Sequence, residues 1–296
     1  MSTPTLSDWQ GQIDGLLIGD GTPYQIVELA GPDGHPPVLS DDEPYPTSDG
    51  EFSGDDTMSA RTITLQLEVM ADMGVTYRDA LTALRWACRP KRVVDAWFRL
   101  PTWDTPRRAR VKVRRFDIPT DREYEMGLAT ADLQLRAPDP VLYGPDTTDV
   151  LVTGFAQPAG GLRFPLYTNG AGVVSGVLDY GPPSATGRLT VSNPGTADVA
   201  PVFAITGPVP PQGFDLVRTD TQQRIRFADP IATGATVTID SADGTATISG
   251  GGDRGGRLTY RDWWLSAPGE SYEVAFVSLG AHSTAQLRIS SPPGWW

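Results

Sequence analysis

Cysteine and histidine are nearly absent from this 296-residue sequence. The one cysteine, Cys88, excludes an internal disulfide framework, and with only His35 and His282 no Cys/His metal cluster can form. No stretch approaches the roughly 20 apolar residues of a membrane helix, and the N-terminal residues lack the basic and apolar segments of a secretory signal. The sequence has no G-x-S-x-G, H-E-x-x-H or P-loop motif. We therefore expect no catalytic residue, no cofactor, no metal site and no membrane insertion.

Basic residues are missing from the first 60 positions, where twelve acids stand without a single Lys or Arg. The rest of the chain carries equal numbers of both signs, so the whole net charge of −12 lies in the first fifth. Such a segment is either a solvated surface or a partner for a basic surface of a neighbouring subunit. Calcium binding is a weaker interpretation, because the EF-hand spacing is absent. An acidic protein is also poorly suited to hold nucleic acid.

Helical patterns are rare, whereas glycine and proline, at 32 and 27 residues, favour turns. One helix is predicted, over residues 77–89, with Thr76 as its N-cap and Pro90 as its stop. Apolar residues recur along one side of this helix. They include Cys88, which we interpret as a small buried hydrophobe.

Strands account for most of the remaining pattern, and residues 61–70 show it best, alternating cleanly between apolar and polar side chains. The other strands predicted in the first half span residues 13–18, 24–29, 93–100, 108–116 and 126–136. Residues 31–60 show almost no periodicity. After about Gly144, short β-prone runs between turn signals indicate a β-sandwich. We predict a mainly β protein of two domains, over residues 1–145 and 146–296.

A row of like charges is the most informative charge pattern, because alternate residues of a strand project from one face over about 20 Å. The row consists of Arg108, Arg110, Lys112 and Arg114. Three counter-charges are open at this point. Glu123 and Glu125 can oppose the row in an antiparallel hairpin, the acids of residues 41–56 can reach it from a neighbouring subunit, or a nucleic-acid phosphate can bind it. The row is thus a candidate charge ladder or subunit contact.

Two tryptophan pairs are further candidates for binding residues. Trp263-Trp264 and Trp295-Trp296 could stack on a sugar ring. Adjacent residues of a strand point to opposite faces, so at most one of each pair can face a given site. Packing in a core or an interface is therefore the favoured interpretation.

Several segments, in this order along the chain, resemble siphophage distal tail proteins. In the first half these are the acidic loop before Thr-Ile-Thr-Leu-Gln-Leu-Glu-Val (62–69), the helix, the basic strand and Leu-Arg-Ala-Pro-Asp-Pro-Val-Leu-Tyr (135–143). In the second half they are Asn-Pro-Gly (193–195), Pro-Val-Phe-Ala-Ile-Thr-Gly-Pro (201–208) and Trp-Trp-Leu-Ser-Ala-Pro-Gly-Glu (263–270). Together the segments cover nearly the whole chain.

The resemblance implies a tail-tube-like β-barrel or sandwich with one helix, followed by a galectin-like β-sandwich. It also implies a structural virion protein of the minor-tail-protein kind, as in actinobacteriophages, without enzymatic activity. Such a protein forms a hexameric ring that connects the tail tube to the tail tip and its host-recognition apparatus. The implied partners are further copies of the chain, the tail tube protein, the tail-tip hub or tail-associated protein and the tape measure protein, with DNA only passing through the lumen.

Two points qualify this resemblance. The acidic stretch over residues 31–60 has no counterpart in the family pattern. The alternative function is a carbohydrate-binding β-sandwich module that recognises a host surface glycan. For the tail protein, the implied location is the virion, after synthesis in the host cytoplasm without a signal peptide.

Overall fold

A computed structural model describes residues 3–71, 74–145, 152–155, 187–280 and 284–296. The chain divides into two compact units, one of Met1–Pro145 with Gly294–Trp296 and one of Asp146–Pro293. Antiparallel sheets dominate both units, which confirms the prediction of a mainly β protein. His282 lies outside the described residues.

The first unit is built on one large sheet whose strands run in the order β2-β1-β9-β10-β11-β8-β3, with β12 beside β10. This hydrogen-bonded path does not close into a barrel in the described part of the chain. The strands of the first unit up to residue 145 are β1 (Gln10–Ile13), β2 (Leu16–Gly19), β3 (Tyr24–Ala30), β4 (Val38–Leu39), β5 (Glu43–Pro44), β6 (Glu51–Phe52), β7 (Thr57–Met58), β8 (Arg61–Met70), β9 (Val94–Arg99), β10 (Arg107–Asp117), β11 (Leu128–Ala137) and β12 (Leu142–Tyr143). Strands β4 to β7 lie outside the large sheet, in two pairs.

The strand predicted over residues 13–18 is wrong, because a tight hairpin divides it. Asp14 and Gly15 both have positive φ, 48° and 89°, and Ile13 pairs with Leu16 across the turn. Asp and Gly tolerate this backbone region better than other residues, which makes Asp-Gly a typical hairpin turn. The apolar run therefore forms the end of β1 and all of β2.

The helix α1 (Tyr77–Ala87) confirms the predicted helix and its N-cap. The backbone N–H of Asp79 donates to Thr76 Oγ1 at 3.2 Å. The helix buries Ala80, Leu81 and Leu84 in the core of the first unit. On β8 the alternation also holds from Thr62 to Val69, since the apolar side chains are buried and the polar ones are partly or fully exposed.

The second unit is a β-sandwich. One sheet runs β13-β23-β15-β18-β19-β20 and the other β14-β22-β16-β17-β21, with an apolar core contributed by both. The strands are β13 (Val152–Gly154), β14 (Arg188–Ser192), β15 (Val202–Thr206), β16 (Phe214–Arg218), β17 (Arg224–Phe227), β18 (Thr236–Asp240), β19 (Thr245–Ile248), β20 (Gly252–Asp253), β21 (Leu258–Arg261), β22 (Ser271–Ser278) and β23 (Gln286–Ser290).

The end of the chain belongs to the first unit. Strand β24 (Gly294–Trp295) pairs with β12, and the Arg107 guanidinium lies 4.3 Å from the Trp295 ring centroid. The predicted second domain, 146–296, included these final residues. In the structure they are part of the first unit because β12 offers them a strand partner and Arg107 a stacking partner.

Candidate functional site

The first half of β10 carries the row of cations on the outward face of the large sheet. Arg108, Arg110 and Lys112 alternate with Ala109 and Val111, which are buried in the core. The side-chain alternation predicted for this strand is therefore present. It places three of the four predicted residues side by side on one surface.

The fourth residue, Arg114, reaches the same surface through a β-bulge. The register of β10 against β11 shifts between Val113 and Arg115, which leaves Arg114 as the extra residue. It lines a groove of about 490 Å³ together with Thr62, Gln134 and Arg136.

Sequence reasoning missed Arg136, which lies directly opposite Lys112 across the sheet. Like charges in directly opposed positions destabilise a strand pair. The alternation of β11, whose outward positions include Gln134 and Arg136, was the available signal. We define the basic face by five residues: Arg108, Arg110, Lys112, Arg114 and Arg136.

The predicted ladder with Glu123 and Glu125 is wrong. Both residues lie in the short helix α2 (Arg122–Glu125), where the backbone N–H of Tyr124 donates to the side chain of Asp121 at 3.0 Å. Strand β11 begins only at Leu128, so neither glutamate can oppose β10. The Asp121 cap stops a continuous hairpin from forming.

Counter-charge on the basic face is scarce. The Asp95 carboxylate lies 3.9 Å from a terminal nitrogen of Arg108. Among the described residues, the other four cations of the basic face have no carboxylate within 4 Å. Most of the positive charge of this face is therefore without an ion-pair partner in the described part of the chain.

A second groove, of about 720 Å³, continues from the basic face along β9. Arg92, Arg108 and Arg110 line it against two carboxylates, Asp14 and Asp95. Arg92 is paired with Asp14 at 2.9 Å. The remaining lining residues are Gln12, Gly15, Val93, Val94 and Trp97. The groove thus combines an excess of positive charge with apolar walls.

The acidic segment forms a ribbon rather than the loop that its lack of periodicity indicated. Strand β4 pairs with β7 and β5 with β6, both antiparallel. We name residues 38–58 the acidic arm. Every side chain in it is exposed or partly exposed. Its seven acids are Asp41, Asp42, Glu43, Asp49, Glu51, Asp55 and Asp56.

One acid of the arm has a local structural role. Asp42 accepts hydrogen bonds from the Ser40 hydroxyl and, at 2.8 Å, from the backbone N–H of Gly54. These two bonds, the Ser40 bond first, hold the pKa of Asp42 below its usual value. In the part of the chain that the structure describes, none of the seven acids forms an ion pair. The arm therefore presents charge without a partner.

The arm also exposes apolar side chains. Phe52 and Leu39 are each 58% exposed and Val38 is 49% exposed. Tyr45 packs edge-on against Phe52 at a centroid distance of 4.5 Å, which joins the two sides of the ribbon near its tip. Exposed apolar side chains grouped on one element are typical of a contact surface.

A buried arginine fixes the base of the arm. Arg61 is 1% exposed and donates to the carbonyl oxygens of Gly31 at 2.7 Å and Gly34 at 2.6 Å. It also donates to the carbonyl oxygen of Pro140 at 2.8 Å. Burial lowers the pKa of Arg61, and the positive charge of Arg107 lowers it further. The arm thus leaves the large sheet from a defined position.

In the second unit, two of the motifs that carry the family resemblance, residues 193–195 and 263–270, meet in one polar cluster. The Asn193 side chain donates to the carbonyl oxygen of Ser266 at 2.9 Å, and Gly269 N–H donates to the Asn193 carbonyl at 2.8 Å. Arg218, nearly buried, pairs with Glu270 and with Asp220 and stacks on Tyr272. The bonds to Asp220, above all, raise the pKa of Arg218. These motifs therefore hold loops together.

Three of the four tryptophans in the two pairs are engaged in contacts within the protein. Trp264 is 4% exposed, and its Nε1–H donates to the Tyr272 hydroxyl at 3.2 Å within the core. Trp263 packs, partly buried, against the same core. In the first unit, the Arg107 guanidinium stacks on the ring of Trp295. Core and internal packing thus account for these three residues, as favoured from the sequence.

Within the described ranges, no group of three or more His, Cys, Asp and Glu side chains could hold a metal ion. Over the same ranges, none of the helices has the length and apolar character needed to cross a membrane.

Cys88 is expected to be unreactive in the folded protein. Burial, with a contribution from the negative Asp14, raises the pKa of Cys88 to about 12. At pH 8, Ellman's reagent should therefore react at least ~100-fold faster in 6 M guanidinium than in buffer, since the thiolate is the nucleophile. Stability should also fall as pH rises above about 9, because the unfolded thiol ionises before the folded one. Rapid native labelling would contradict the buried position.

Comparison with known proteins gives structural matches only. No family model and no curated protein matches the sequence. The crystal structure of SPP1 Dit (gp 19.1), described as a paradigm of the hub adsorption apparatus in phages infecting Gram-positive bacteria, matches with a TM-score of 0.63 and 13% identity. The match covers 97% of this chain and 99% of that one. The phage P2 baseplate, in its activated conformation with calcium, matches at 0.53 and 12%, over 95% and 97% of the two chains.

The strontium form of that baseplate matches equally well, at 0.53 and 11% identity. The protein therefore has the fold of a phage baseplate component. More particularly, it has the fold of SPP1 Dit over nearly its whole length. The resemblance to siphophage distal tail proteins is confirmed at the level of the fold.

Proposed function

We propose that this protein is a non-enzymatic adaptor of a tailed-phage virion, whose copies form a six-membered ring between the tail tube and the tail tip. The observation that carries the proposal is the fold shared with SPP1 Dit over 97% of the chain. Because the match includes nearly all of both chains, it concerns the two-unit architecture and not one common sandwich module.

The surfaces of the first unit support self-association around an axis. The acidic arm and the basic face are different surfaces. Within the described chain the acids of the arm form no ion pair, and the basic face has only the contact between Arg108 and Asp95. Contacts between two different patches of identical subunits are heterologous, and such contacts generate a ring when the rotation closes. A ring needs no reactive pocket, and its action is geometric.

The second unit supplies the outer surface in this proposal. Its β-sandwich would face the tail-tip hub or tail-associated protein, while the first unit would meet the tail tube protein. The tape measure protein and DNA would pass through the lumen. The motif cluster around Asn193 and Arg218 contributes rigidity to this surface.

Native mass spectrometry and negative-stain electron microscopy of the purified protein test the proposal. We expect a species of six times the chain mass and a ring with a central opening. Cryo-electron microscopy of purified virions should place the ring at the distal end of the tail tube. A protein that is monomeric in solution and absent from the virion would contradict the proposal, and a monomer that binds sugar would favour a glycan-binding module instead.

A further inference from the structure

We propose that the acidic arm of one copy docks along the basic face and the adjoining 720 Å³ groove of the next copy in the ring. This inference rests on the proposed function, because it specifies the contact between neighbouring subunits. The occupant of the basic face is thus a second copy of this chain.

Charge complementarity is the first argument. The arm carries seven acids and no base, and the basic face carries five cations with Asp95 as its carboxylate neighbour. Lys112 and Arg136 stand directly opposite each other, an arrangement that counter-charge from outside the chain would stabilise. Complementary patches of this kind fix the register of an interface and suppress wrong partners.

Apolar contact is the second argument. Val38, Leu39 and Phe52 project from the arm into solvent. The groove offers Val93, itself 46% exposed, and Trp97 among its walls. Docking would remove Val93 and the apolar side chains of the arm from water, which is favourable at roughly 25 cal/mol per Å² of apolar area. A nucleic-acid backbone would leave the exposed apolar side chains of the arm without a role.

Dimensions are the third argument. From Val38 to Tyr45 one side of the ribbon extends about 25 Å at the usual rise per residue, and the basic row on β10 extends about 20 Å. Arg61 anchors the base of the arm, so that the ribbon leaves the sheet from a fixed point. The arm can therefore cover the row in an extended conformation.

Charge reversal in three matched variants tests the contact. The arm variant carries Glu43→Lys, Asp49→Lys, Glu51→Lys and Asp55→Lys, and spares Asp42 because of its local hydrogen bonds. The face variant carries Arg110→Glu, Lys112→Glu, Arg114→Glu and Arg136→Glu. The control variant has the same charge change as the arm variant at exposed acids elsewhere, namely Asp20→Lys, Glu28→Lys, Glu123→Lys and Glu125→Lys.

We expect the arm and face variants each to lower the ring fraction in native mass spectrometry at least about tenfold, since like charges would then face each other. The control variant should form rings as the unchanged protein does. Combining the arm and face changes in one chain should restore the ring. An equimolar mixture of the two single variants should also restore it, as a ring of alternating subunits. Circular dichroism verifies that each variant is folded.

Several outcomes would overturn the docking contact. They are full ring formation by either single variant, failure of the combined variant to restore the ring although it is folded, or equal loss in the control variant. Binding of a fluorescent 20-base-pair DNA duplex to the basic face of assembled rings would also overturn it, because the face would then be free. Absence of rings from the unchanged protein, in solution and on virions, refutes the proposed function itself.

Discussion

Replacing Arg61 with methionine is expected to lower the free energy of unfolding of the first unit by about 3 kcal/mol, because three part-buried carbonyl groups lose their donor. Methionine fills a similar volume but donates no hydrogen bond, so the carbonyl oxygens of Gly31, Gly34 and Pro140 would remain unpaired. Hydrogen exchange followed by mass spectrometry, resolved by peptide, measures the change in the first unit separately.

The matched control is Arg115→Met. The side chain of Arg115 lies on β10, in the same sheet as Arg61, and is 64% exposed. We expect this change to alter stability by no more than about 0.5 kcal/mol, as is usual for exposed sites. Equal exchange protection in the two variants would show that the Arg61 hydrogen bonds contribute nothing net. In the Arg61 variant, residues 31–34 should lose protection first, because they form the base of the acidic arm.

Replacing Phe276 with alanine is expected to destabilise the second unit by about 3–5 kcal/mol, the usual cost of a large cavity in a core. Phe276 is fully buried, with its ring stacked on Phe155 at 4.0 Å and edge-on to Phe214 at 5.4 Å between centroids. The void would therefore lie between the rings of Phe155 and Phe214, and Phe155 would lose its stacked partner.

The control for this substitution is its neighbour, Val277→Ala, at a site that is 39% exposed. Since adjacent residues of β22 point to opposite faces, we expect a cost below about 1 kcal/mol there. Calorimetry, together with urea titration monitored by peptide-resolved hydrogen exchange, separates the unfolding transitions of the two units. This separation is needed because two units need not unfold in one step. A Phe276 variant as stable as the Val277 variant would disprove the central position of this ring.

Local patterns predicted the elements whose structure depends on their own residues. Strand β8 follows its apolar alternation from Arg61 to Met70, and α1 follows its Thr76 cap and apolar stripe. The helix ends at Ala87, two residues before the predicted end, since Cys88 already leaves helical geometry with ψ at 25°. The burial of Arg61 was also predictable, because Arg61 points to the same side of the strand as the buried Ile63.

Elsewhere the prediction failed, because the structure depends on pairing between residues that are far apart in the sequence. The partner of Lys112 depended on where β11 begins, and the Asp121 cap moved that start beyond Glu125. The acidic arm shows no periodicity because its strands are two residues long and exposed on both faces. The return of the chain end to β12 joins residues about 150 positions apart, which no local pattern records.

The buried thiol of Cys88 makes the chain convenient for site-directed fluorescence. The sequence contains no other cysteine, so a Ser48→Cys substitution at the turn of the arm would add the sole accessible attachment point for a maleimide dye. An environment-sensitive dye at that position would change its emission when the turn leaves water. Assembly could then be followed in real time by stopped-flow fluorescence, because the buried Cys88 would remain unlabelled.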